Sequence, residues 1–334
     1  MYSENDYKRE VKPCVYIMIE FNNKLELRYY FSDKSTYFDA MVRHRCEKEV
    51  LYMLKSLSDM LDVRMTIYNE LLPVDGFRDV WSVAGENSRS ISIILNLFMQ
   101  LWKRPSLLVG GQLAAEHTPE DDEEMQKELT LLRRELKQKK QAPLIPRSLV
   151  DLLSSTPRFC KAKSNFYGAL KGYPKVTKFT MRELSASNRS RSGSLDIKSD
   201  HFDYYILRSD QLAPIKDSKA TIEIISPVLK DSRYRWKGIY NKGGMTIDFY
   251  MCDEEFKKDM FDEKIVFKSG MCIDCVLEIE RKMSELGEVV NVSYTVKTVI
   301  RTRFDKMEIL TPQGKRHLRK LEAERKQLTL DLFG

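Results

Sequence analysis

Two sets of residues in this chain have types and spacings that could do chemistry: carboxylates placed beside lysines, and cations interleaved with rings. Glu280-Arg-Lys282, together with Asp248 on an earlier predicted strand, has the carboxylate–x–lysine spacing of metal-dependent phosphodiester hydrolysis. There carboxylates hold a divalent ion and a lysine assists the attacking water. Asp217-Ser-Lys219 and Asp262-Glu-Lys264 repeat the spacing, and 31 % of the chain is charged, so the pattern has little specificity. Cys272-Ile-Asp-Cys275 has the separation of a zinc knuckle. It lacks a second ligand pair, and it falls in a predicted strand, where residues three apart face opposite sides. His201 and His317 have no metal-motif partner, and His44 sits between Arg43 and Arg45 without a paired serine or cysteine. Gly314-Lys315 lacks the upstream glycine and the following hydroxyl of a phosphate loop. The expectation is a protein without a metal, cofactor or catalytic constellation, with Asp248, Glu280 and Lys282 as the enzymatic alternative.

The cations are more informative. The chain has 334 residues, with 56 Lys+Arg against 49 Asp+Glu, a net of +7. Residues 1–150 are close to neutral. The window from Arg158 to Arg191 holds nine basic residues and a single acid, Glu183. Arg158, Lys161, Lys163, Lys171, Lys175, Lys178 and Arg182 alternate there with Phe159, Phe166, Tyr167, Tyr173 and Phe179. Cations that displace counterions from phosphates, beside rings on which bases stack, are the ingredients of single-stranded nucleic-acid binding. The same window could instead pair with the acidic run Glu120–Glu124 or be an ordinary solvated surface.

The elements that must position these residues follow from periodicity. Residues 14–21 and 24–31 read as a hairpin around Asn22-Asn23, with Leu25, Leu27 and Tyr29 alternating against Lys24, Glu26 and Arg28. A long helix follows over 36–61, capped by Asp33 or Ser35, then a strand over 63–68 and helices over 77–84 and 88–102. The apolar run Ile91–Trp102 is too short to span a membrane and fits core, interface or shallow membrane contact. Thr118–Gln141 reads as a helix with acids at its start and bases at its end. Met125, Leu129, Leu132 and Leu136 form a two-heptad seam that could self-associate or lie on its own domain. Strands are predicted over 220–229, 234–240, 245–251, 265–267, 271–280 and 289–304, with a short helix at 253–261 and a charged helix at 315–330.

The fold class expected is α+β. An N-terminal hairpin-plus-helices domain (1–112) leads through the heptad helix (113–141) to a basic Pro- and Ser-containing linker (142–194), which encloses a short helical piece near 148–153. A mostly antiparallel β barrel or sandwich (195–312) and a terminal charged helix (313–334) follow. Six dispersed cysteines and a charged start without an apolar run point to a reducing cytoplasm. Two stretches, Phe38-Asp-Ala-Met-Val-Arg-His-Arg-Cys-Glu and Ile224-Ile-Ser-Pro-Val-Leu, resemble bacterial proteins carried in mobile-element or phage-defence loci. That resemblance implies an accessory role in antiviral defence and brings no site residue with it. The function expected is a cytosolic binding protein that self-associates through its heptad helix and contacts DNA or RNA through the basic window. The alternatives are a metal-dependent nuclease in the β domain and a protein scaffold.

Overall fold

The computed structural model describes residues 22–33, 35–70, 77–85, 87–105, 108–109, 112–113, 119–138, 144–191, 193–230, 234–305 and 307–331. The chain divides into two compact units, the first built from residues up to 107 and from 115–206, the second from 108–114 and 207–334. The first strand of the expected hairpin, 14–21, lies outside the described residues.

Unit 1 has an antiparallel five-stranded sheet. It is formed by β1 (Asn23–Phe31), β2 (Met65–Glu70), β3 (Phe77–Gly85), β6 (Val176–Ser185) and β7 (Leu195–Lys198) in the order β2-β3-β1-β6-β7. β4 (Leu108–Val109) and β5 (Gln112–Leu113) pair only with each other and belong to unit 2. Leu25, Leu27 and Tyr29 of β1, with Trp81 and Val83 of β3 and Phe179 and Met181 of β6, point to one face and enter the core. That core is completed by α1 (Ala40–Met60), α2 (Ser88–Lys103), α3 (Pro119–Lys137), α4 (Arg147–Ser155) and α5 (Pro157–Lys171). Asp39 caps α1 by accepting from the Met41 and Val42 amides at 2.9 and 3.0 Å, so the helix starts four residues later than expected. α2 is buried around most of its circumference, which makes the apolar run 91–102 core. No helix among the described residues is long and apolar enough to cross a membrane.

Three expectations fail in unit 1. Residues 77–84 form a strand, because Phe77, Asp79, Trp81 and Val83 alternate with Arg78, Val80 and Ser82 between two neighbours; a short apolar run does not separate strand from helix. The 142–194 segment is no linker but contributes α4, α5 and the interior strand β6. Its prolines punctuate helix starts: Pro146 precedes α4 and Pro157 opens α5, where a missing N–H costs nothing. The Ser-rich stretch 185–194 is the β6–β7 turn, with Asn188 in the left-handed region at φ 59°. Unit 1 therefore extends through β7 and the 3-10 turn Ser199–Tyr205.

Unit 2 is a closed barrel. β8 (Gln211–Ser226), β9 (Trp236–Tyr240), β10 (Met245–Met251), β11 (Cys272–Met283) and β12 (Val289–Phe304) run in the order β8-β9-β10-β12-β11 and back to β8. All pairings are antiparallel except β10 with β12, where Phe249–Met251 lie parallel to Tyr294–Val296. Ile222, Trp236, Phe249, Ile273, Leu277 and Val296 fill the interior, and α6 (Glu254–Phe261) adds Phe256 and Met260. Residues 265–267, expected as a strand, connect α6 to β11 without one. Asp253 caps α6 through the Phe256 amide at 2.9 Å. Its other oxygen accepts from the Val299 amide at 2.6 Å and from Gln313 Nε2 at 3.2 Å. One buried carboxylate thus ties α6, β12 and α7 (Pro312–Asp331), while β13 (Met307–Leu310) extends the sheet beside β12.

Candidate nucleic-acid interface

The basic window is dispersed through unit 1. Phe159, Phe166, Tyr167 and Phe179 are fully buried, Tyr167 accepting a hydrogen bond from Trp102 Nε1 at 2.8 Å. The expectation that Phe166 and Tyr167 meet nucleic-acid bases is therefore corrected: these rings are the hydrophobic payload of α5. Lys163 is wholly buried, and its ammonium donates to Arg104 O at 2.9 Å, completing the C-terminus of α2, while burial lowers its pKa. Lys161 is 6 % exposed. Arg158 lies over the Tyr52 ring, Lys171 pairs with Asp203, and Lys175 pairs with Asp33 while covering Tyr37. Lys178 and Arg182 share the outer face of the sheet, where both are half-buried.

The heptad seam is likewise internal. Met125, Leu129, Leu132 and Leu136 are buried in the unit 1 core, so this stripe lies on its own domain and the self-association expected of it is corrected.

The carboxylate–lysine set sits on the barrel's outside. Glu280 of β11 is opposite Ser293 of β12, while Asp248 of β10 precedes Phe249, which is opposite Tyr294. Asp248 and Glu280 thus share a row but stand on either side of β12, two strand spacings or about 10 Å apart at the backbone. Among the described residues no cluster of three or more His, Cys, Asp or Glu could hold an ion. Cys275 faces the barrel interior, where burial raises its thiol pKa, and Cys272 is only partly buried. The apolar groove lined by Val266, Phe304, Met307 and Ile309 has Lys264 and Asp259 at its edge, paired with each other at 3.0 Å.

The barrel face over β9 and β10 carries a further cation-and-ring arrangement. On its outer side Ile239 is opposite Thr246 and Lys237 opposite Asp248. In the next row the Arg235 guanidinium lies 5.0 Å from the centre of the Tyr250 ring. Tyr234, 71 % exposed, precedes Arg235 in the β8–β9 connection, and Ile225 and Leu229 are exposed at the same end. Sequence reading missed this group because its members lie on different strands. The available signal was Tyr234-Arg-Trp-Lys237, two cations spaced by two with a ring between them. No protein-family model matches the chain, no curated protein matches it, and no solved structure matches its fold.

Proposed function

We propose that the chain is a non-enzymatic binding protein whose unit 2 barrel holds single-stranded nucleic acid. A five-stranded barrel in which the third and fifth strands close in parallel, with a helix between the third and fourth, has the arrangement of the OB-fold. In that fold the face of the second and third strands and the adjoining loops take up oligonucleotides. Fold alone does not decide function. The observation that carries the reading is the Arg235–Tyr250 stack on that face, flanked by exposed Tyr234 and Lys237.

The chemistry is recognition without bond breaking. Arg235 and Lys237 meet backbone phosphates and release their counterions, while bases stack on Tyr234 and on Tyr250. With the resemblance of Phe38–Glu47 and Ile224–Leu229 to proteins of phage-defence loci, this makes the chain an accessory, strand-holding protein of a bacterial cytoplasm. A fluorescence-anisotropy titration of a labelled oligo(dT) strand tests it. Each stacked base contributes about 1–3 kcal/mol, so Tyr250→Ala lowers affinity by roughly 5- to 150-fold. Unchanged affinity in Tyr234→Ala and Tyr250→Ala would reject the reading.

A further inference from the structure

The unit 1 sheet has a second face, opposite the one covered by helices, and its charges are arranged against the fold's own interest. Arg28 of β1 stands directly opposite Arg78 of β3, and Lys178 of β6 directly opposite Lys198 of β7. Like charges paired across strands destabilise a sheet. The two pairs are neighbours: Arg28 is followed two residues later by Tyr30, which is opposite Lys178. The Lys178 ammonium lies 4.0 Å from the Tyr30 ring centre and the Arg28 guanidinium 5.1 Å.

The carboxylates on this face answer the conflict only in part. Glu26 pairs with Arg78, and Glu70 pairs with Lys24 at 2.7 Å. Asp196 accepts from Ser194 and, at 2.9 Å, from Thr180, which lower its pKa, and the nearby charges of Lys178 and Arg182 lower it further. Among the described residues Arg28, Lys178, Arg182 and Lys198 make no ion pair, and Arg182 Nε is buried without a hydrogen-bond partner. A fold keeps such a local conflict where function requires it.

We infer that this sheet face is a phosphate-binding surface for a nucleic-acid backbone, separate from the barrel face. Two crowded cation pairs on one face suit a ligand carrying regularly repeated anionic oxygens. A guanidinium meets phosphate bidentately, and each ammonium meets it as a point charge. Contacts made through these cations are to backbone and carry no sequence preference.

The double variant Arg28→Gln/Lys198→Gln removes one cation from each opposed pair. Its test joins stability with binding in the full chain. The melting temperature stays equal or rises, since repulsion is relieved. Affinity for oligo(dT) falls by about 25-fold at 0.1 M salt. The slope of log K against log salt becomes shallower by about 1.4, the counterions of two single-strand phosphate contacts. Tyr250→Ala lowers affinity with the slope unchanged, so failure of the barrel reading and failure of this one are told apart. An unchanged slope and affinity in the double variant would overturn the inference. So would displacement from this face by poly-glutamate but not by the oligonucleotide, which would assign it to an acidic protein.

Discussion

Asp79 lies on the core face of β3, opposite Leu27 and between Phe77 and Trp81, and is 5 % exposed. Burial raises its carboxyl pKa to about 6 against the pull of Arg43, whose guanidinium donates to Oδ1 at 2.8 Å, with nearby Glu47 raising it further. The second oxygen, Oδ2, is buried without a partner. A carboxyl raised by about 2 units above its unfolded value binds a proton in the folded chain that the unfolded chain has released. Stability is then highest below the unfolded pKa and falls as pH rises through 6. The full contribution is about 3 kcal/mol, of which about 1.4 kcal/mol develops between pH 7.5 and pH 5. Asp79→Asn is the neutral analogue at every pH and removes this dependence. Urea unfolding of both proteins at pH 7.5 and 5 measures it, and subtracting variant from wild type cancels groups common to both, including Glu183, which burial also raises. The variant is more stable at pH 7.5, and the gap narrows by about 1.4 kcal/mol at pH 5. An equal pH dependence in the two proteins would refute the reasoning.

Leu132→Ala destabilises unit 1 by about 2–4 kcal/mol in urea, because Leu132 is 2 % exposed in its own core, while sedimentation velocity shows an unchanged oligomeric state. Gly238→Ala weakens the barrel, since an added Cβ would lie 2.5 Å from Ile222 Cγ2 and 2.7 Å from Glu223 O. Overpacking of this kind lowers stability by about 1–3 kcal/mol, read as a lower melting temperature. Asp248→Asn removes the only carboxylate of β9 and β10, and oligo(dT) affinity rises roughly threefold, the effect of one exposed charge about 7 Å from a phosphate.

Local signals in the chain are legible where one face meets core and the other meets solvent. The alternation of Leu25, Leu27 and Tyr29 against Lys24, Glu26 and Arg28 defines β1, and the charge gradient of α3 matches its dipole. The same rules could not separate rings that stack bases from rings that fill a core. Phe159, Phe166, Tyr167 and Leu170 recur at i, i+7, i+8 and i+11, one stripe of a helix, and that stripe explains their burial better than the interleaved cations suggest. Barrel closure was illegible for a different reason. It depends on three residues of β10 meeting three of β12 more than forty positions away, a pairing that no local pattern encodes. The candidate site shares that difficulty, since Arg235 and Tyr250 are brought together only by β9–β10 register. The opposed cations Arg28 and Arg78 likewise meet only through β1–β3 register.

Ultraviolet cross-linking of the full chain to a single strand containing photoreactive thymine analogues, mapped by peptide mass spectrometry, tests the barrel reading most directly. Cross-links at Tyr234 and Tyr250 are the predicted outcome. A strand that binds yet leaves both tyrosines unmodified would contradict it.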